Sequence, residues 1–69
     1  MIKLTKLNGS SFVLNCELIE VLEQTPDTVI STISGKKIVV AETIEEIVEK
    51  VIQYKRKLFL SNNKTIEQI

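Results

Sequence analysis

Apolar and polar residues alternate in short runs over the first two thirds of the chain and recur every three or four positions over the last third. Ile2 and Leu4 are interleaved with Lys3 and Thr5, the period-two signature of a half-buried strand. Asn8-Gly9 follows, the dipeptide best suited to the two positive φ angles of a type I′ turn. A strand over residues 2–7 is therefore expected to pair with one near 10–14. In that second strand Phe12 and Leu14 share a face and Val13 takes the other. Asn15-Cys16-Glu17 then turns the chain. Residues 18–24 read as a third strand, although Leu18, Val21 and Leu22 also fit helical spacing with Glu17, Glu20 and Glu23 on another face. Thr25-Pro26-Asp27-Thr28 predicts a hairpin, since proline presets φ at a turn corner and Asp can bond its own backbone two residues on. Residues 29–33 and 36–41 then form two strands joined through Ser34-Gly35, where glycine supplies a positive φ in a tight hairpin or a glycine bulge.

The last third predicts a helix over residues 43–60. Thr43 followed by Glu46 is a capping box, and Ile44, Ile47, Val48, Val51, Ile52 and Leu58 fall on one broad stripe. Glu42, Glu45, Glu46 and Glu49 at its start and Lys50, Lys55, Arg56 and Lys57 towards its end complement the helix dipole. Leu58, Phe59 and Leu60 cannot all face one small core, so at least one of them is expected in a subunit or partner interface. The basic and aromatic segment 54–60 also has the composition of a membrane-surface or nucleic-acid contact. Residues 61–69 are polar and expected to fray. The whole is an α+β chain with a single domain over residues 1–60: a small, strongly bent antiparallel sheet of about five short strands, followed by one C-terminal amphipathic helix.

At 69 residues the core is thin, with roughly 60% of the unfolded chain's surface buried on folding. One cysteine permits no internal disulfide, and no Cys/His cluster is present to hold a structural zinc. Oligomerisation is the remaining route to greater burial, so a homo-oligomer is expected. Nine basic and nine acidic residues cancel, leaving no overall excess to draw the chain onto nucleic acid or an anionic membrane without a local patch. No signal-peptide pattern and no run of ~20 apolar residues is visible, so a soluble cytoplasmic protein is expected.

The stretch Ser34-Gly35-Lys36-Lys37 has the ingredients of a phosphate loop but lacks its spacing. Position 30 is Ile rather than Gly, position 37 is Lys rather than Ser or Thr, and a strand follows instead of a helix. Enzymatic chemistry is disfavoured by inventory: histidine is absent, and Cys16 has no imidazole to activate it and reads as a small buried hydrophobe. No catalytic residue, metal or cofactor is expected.

Taken in order, Leu7-Asn8-Gly9, Phe12-Val13-Leu14-Asn15, Leu18-Ile19-Glu20, Thr25-Pro26-Asp27-Thr28-Val29-Ile30, Gly35-Lys36-Lys37 and Val40-Ala41-Glu42 resemble the small FlbD/SwrD family of bacterial flagellar and swarming motility proteins, over residues 1 to about 57. The resemblance implies a non-enzymatic cytoplasmic accessory associated with flagellar motor power, placed near the flagellar base at the inner membrane. Its implied partner is a motor or stator-related protein. The family carries no catalytic or ligand residues to transfer. Asn8, Gly9, Pro26 and Gly35 are accounted for as turn formers, which leaves Asn15, Glu20, Asp27 and Lys36 as candidate partner contacts, joined by Lys37, Arg56 and Phe59. Strands followed by a helix also fit a small CsrA-like RNA-binding regulator, for which Lys36, Lys37 and Arg56 would be the contacts. That class presents arginines on edge strands, whereas the single arginine here, Arg56, lies in the helix. Nucleic acid is accordingly a less favoured partner, and membrane contact, if any, is peripheral.

Overall fold

The computed structural model describes the backbone of residues 1–67 and the side chains of residues 1–60. Five strands, β1 (Ile2–Thr5), β2 (Ser11–Leu14), β3 (Ile19–Gln24), β4 (Thr28–Thr32) and β5 (Lys37–Val40), precede one helix, α1 (Ile44–Glu67), as the α+β pattern predicts. The expected single bent sheet resolves into two. β1 pairs with β2, and β3-β4-β5 form a three-stranded antiparallel sheet. A lone antiparallel bridge, Lys6↔Val40, joins them. Beside it Ala41 N–H donates to Thr5 O at 2.8 Å and Thr5 N–H donates to Glu42 Oε1 at 3.0 Å. The bend is thus sharp enough to interrupt the ladder, and a side chain takes over where backbone pairing stops.

Both glycine hairpins use one design. Lys6 N–H donates to Ser10 O and Gly9 N–H to Lys6 O; Thr32 N–H donates to Lys36 O and Gly35 N–H to Thr32 O. Each is a three-residue loop ending in a left-handed glycine, with φ of 91° at Gly9 and 89° at Gly35. This corrects the type I′ expectation at Asn8-Gly9, because Asn8, like every non-glycine among the described residues, lacks a positive φ. Asn8 acts through its side chain instead, its Oδ1 accepting from Ser10 N–H and Ser10 Oγ. In the second loop Thr32 Oγ1 takes that place, accepting from Lys36 N–H and sharing a hydrogen bond with Ser34 Oγ.

Residues 18–24 divide. Cys16–Leu18 form one 3₁₀ turn, in which Asn15 Oδ1 accepts from Glu17 N–H at 3.1 Å, and the strand begins at Ile19. Strand geometry wins over helical spacing because Leu22 pairs opposite Ile30 and faces the core with it. The third hairpin, over residues 25–27, closes β3 onto β4 with Gln24 opposite Thr28.

The helix starts as its capping box requires. Glu46 N–H donates to Thr43 Oγ1 at 3.1 Å, and Thr43 N–H donates to Glu46 Oε1 at 3.0 Å. Ile47 then enters a core of Ile2, Leu4, Leu14, Cys16, Ile30 and Val40, with Val51 and Tyr54 packed against its margin. At 24 residues α1 is about 36 Å long, whereas strands of four to six residues span about 13–20 Å. The helix therefore outruns the sheets it covers, and residues 55–60 are all exposed. It also extends past the expected end at residue 60. Of the tail expected to fray over residues 61–69, the backbone as far as Glu67 belongs to α1, and residues 68 and 69 lie outside the described residues.

Candidate functional site

Three surface features of distinct chemistry emerge from this frame. The first is an apolar groove of about 270 Å³ between β3 and α1, lined by Cys16, Ile19, Leu22, Val48, Val51 and Ile52. The helical stripe is wider than the sheets can cover: Ile47 is fully buried, while Val48 and Ile52, one face over, are each 43% exposed. At one margin Lys55 Nζ meets Glu17 Oε1 at 2.7 Å, tying the helix to the 3₁₀ turn. That hydrogen bond and its attendant charge attraction hold the Glu17 carboxyl below its ordinary value and raise the Lys55 ammonium above its own.

A second feature is a cleft of about 340 Å³ between the two glycine hairpins, lined by Lys6, Phe12, Lys36, Lys37, Ile38 and Val39. The Lys6↔Val40 bridge creates it by laying the first hairpin alongside β5. Lys6 Nζ sits 5.7 Å from the Phe12 ring centroid, within reach of a cation–π contact. Among the described residues none of these lysines has a carboxylate within ion-pair distance. The third feature is a shallower cleft between β1 and α1, where Lys3, Lys50 and Lys57 surround Tyr54.

The seven residues expected at a partner surface do not converge. Lys36 and Lys37 meet in the second cleft. Glu20 is the extra residue at a β3 bulge, where register shifts between Ile19 and Val21, and Asp27 is exposed in the third hairpin. The Asn15 side chain caps the 3₁₀ turn. Arg56 and Phe59 lie on the overhanging part of the helix, with Phe59 64% exposed.

Lys6 and Phe12 were not singled out from sequence, yet they complete the basic cleft. A signal was present: residues 1–16 and 28–41 contain Lys3, Lys6, Lys36 and Lys37 and no carboxylate. Glu17, Glu20, Glu23 and Asp27 lie between them with no cation. The balanced net charge is a sum of segregated regions, and Lys6, Lys36 and Lys37 form a local patch of the kind that balance left as a requirement.

The family model described as "FlbD: Flagellar and Swarming motility proteins" matches residues 1–59, which takes in all five strands and the helix as far as Phe59. No curated protein and no solved structure matches the chain.

Proposed function

The chain belongs to the FlbD family of flagellar and swarming motility proteins, and from that premise we propose that it is a non-enzymatic cytoplasmic accessory that supports flagellar motor power by protein–protein contact. The observation that carries the contact mechanism is the apolar groove between β3 and α1, with Val48 and Ile52 left partly exposed on a helix that has a core-facing side of its own. Aliphatic side chains in a concave strip between strand and helix suit an apolar anchor from a partner. Phe59, farther along the helix, would extend that contact. The partner is a motor or stator-related protein.

Self-association through the same helix face adds the burial that a 69-residue chain lacks. Strand addition at the outer edge of β3 is disfavoured, because that edge carries the Glu20 bulge and Glu23, devices that discourage pairing. Glu20 and Asp27 on the acidic hairpin and Lys36, Lys37 and Arg56 on cationic surfaces would contribute orientation rather than anchoring. Asn15, already engaged as a cap, would contribute least.

The RNA-binding alternative is favoured by one observation, the lysine cleft beside an aromatic ring. It is opposed by another, since the Lys6 ammonium lies over the ring on which a base would stack.

The test is in-cell crosslinking and capture of the tagged chain from motile cells, with proteins and RNA both identified. Val48→Ser/Ile52→Ser and Asp27→Ala/Lys36→Ala are run beside the wild type. Enrichment of stator or basal-body proteins that falls in the groove variant is the expected result. Transcripts without motor proteins would replace this reading with the RNA one.

A further inference from the structure

We propose that the end of the molecule formed by the two glycine loops is a docking surface for an anionic phospholipid bilayer. This inference does not depend on the motility reading. The geometry begins with the antiparallel Lys6↔Val40 bridge. Beyond Lys6 the chain runs back along β5 towards Lys37, so the loop over residues 7–9 and the loop over residues 33–35 end on the same side of the molecule. Both loops carry a large aliphatic at the same position, directly after the first residue of the closing pair. Leu7 is 58% exposed and Ile33 62% exposed. Loop tips ordinarily carry polar and glycine residues, so two matched aliphatics there offer an apolar contact at one end of the molecule.

Charge on that end identifies the neighbour. Lys6, Lys36 and Lys37 line the cleft between the loops, without a carboxylate in ion-pair range among the described residues. Lysines beside protruding aliphatics match a surface that is anionic outside and apolar just beneath, which is the headgroup and acyl boundary of a charged leaflet. Single-stranded nucleic acid would supply the phosphates, but it stacks on open aromatic faces, and here the tips are aliphatic and Lys6 covers Phe12. Glu23 and Asp27 lie at the opposite end of β4, where Gln24 pairs with Thr28, as a face turned towards the aqueous phase would, while Glu20 lies at the bulge opposite Ser31 and Thr32 and tempers the charge at the margin of the docking end. No helix of the described residues is long and apolar enough to cross a membrane, so this contact is peripheral.

The experiment is co-sedimentation of the full chain with vesicles of phosphatidylglycerol and phosphatidylethanolamine, against vesicles of phosphatidylcholine, at low and high salt. Each lysine near an anionic leaflet adds about fivefold to partitioning. Lys6→Gln/Lys36→Gln/Lys37→Gln is therefore expected to weaken binding about 100-fold, and Leu7→Ser/Ile33→Ser at least about tenfold, with unchanged urea midpoints. Glu20→Gln/Asp27→Asn should bind at least as well as the wild type. Equal binding to phosphatidylcholine would overturn the proposal, as would no binding to the anionic vesicles or wild-type partitioning by both variants. Capture of a mixed-sequence single-stranded RNA that the lysine variant loses, without any vesicle binding, would assign the cleft to nucleic acid instead.

Discussion

Three hairpins shape this molecule, and all have three-residue loops, yet two differ sharply from the third. The loops at Leu7-Asn8-Gly9 and Ile33-Ser34-Gly35 end in a left-handed glycine and are flanked by lysines. The loop at Thr25-Pro26-Asp27 has no glycine, and the strand before it carries Glu20 and Glu23. The first two are held side by side by the β1–β5 seam, while the third follows β3, the strand at the outer edge of its sheet. Turn chemistry therefore sorts charge as well as direction: matched loops bring cations together, and the unmatched loop keeps the carboxylates on separate elements. A net charge of zero conceals both.

The largest effect is expected where the two regions share a strand. β4 pairs with acidic β3 on one side and with lysine-led β5 on the other, and Ile30 at its centre is fully buried. Ile30→Ala should destabilise by about 3 kcal/mol, through lost transfer energy and a cavity the thin core cannot collapse around. For a domain of this size that is a large share of the total. Urea denaturation followed at amides of both glycine loops and the third hairpin should give one common, lowered midpoint. If the first hairpin melted while β3 and β4 persisted, the regions would be independent and the comparison would lose its structural basis.

Smaller and more selective effects are expected in the loops themselves. At Gly9 and Gly35 an added Cβ would meet no atom within 4 Å, so any penalty is one of backbone conformation, not of space. Gly9→Ala and Gly35→Ala should each cost about 1–2 kcal/mol, because φ near +90° is strained for an L side chain. Asp27→Ala, exposed in a loop whose residues all have negative φ, should stay within about 0.5 kcal/mol. Thermal or urea midpoints of the three variants decide this, and equal losses would show that the loops are not different in kind.

These contrasts also separate what was legible in the sequence from what was not. Strand alternation, the Thr43/Glu46 capping box and glycine at both hairpin turns were readable because each rests on neighbours within a few positions. The turn type at Asn8-Gly9 was not, since a type I′ turn and a three-residue glycine loop both place Gly9 at positive φ. The pairing of Lys6 with Ser10 and the negative φ of Asn8 distinguish them. The basic cleft was hidden for a different reason. Lys6 alone in a strand reads as a solvated residue and Phe12 as core, and what joins them to Lys36 and Lys37 is a seam between segments distant in sequence. The Thr5 to Glu42 hydrogen bond in that seam spans 37 positions. The groove was half legible: the apolar stripe was visible, but not that the sheets would cover only its Ile47 side.

Glu42 supplies the finest test, because it is a carboxylate that reaches the cationic half and binds backbone there. Its Oε1 accepts from Thr5 N–H at 3.0 Å, closing the seam that aligns the two glycine loops. Burial is the largest single influence and would raise its pKa, but hydrogen bonding with Thr5 and with its own backbone, together with the Lys50 charge, outweighs it and the carboxyl lies below its ordinary value of 4.5. A folded-state pKa below the unfolded one means stability that is fully present above pH 4.5 and lost as pH falls through the folded value. Glu42→Gln keeps an acceptor oxygen and removes only the charge, so it should cost about 1 kcal/mol or less at neutral pH. The gap between wild type and variant should narrow as the pH drops below 4.5, while the slope that Glu17 contributes through Lys55 persists in both. Urea midpoints measured from pH 7 down to about pH 3 would check this. Parallel curves would mean that the seam is held by the Ala41 to Thr5 backbone bond and the Lys6↔Val40 bridge without help from the carboxylate, and that the two basic loops are aligned by strand pairing alone.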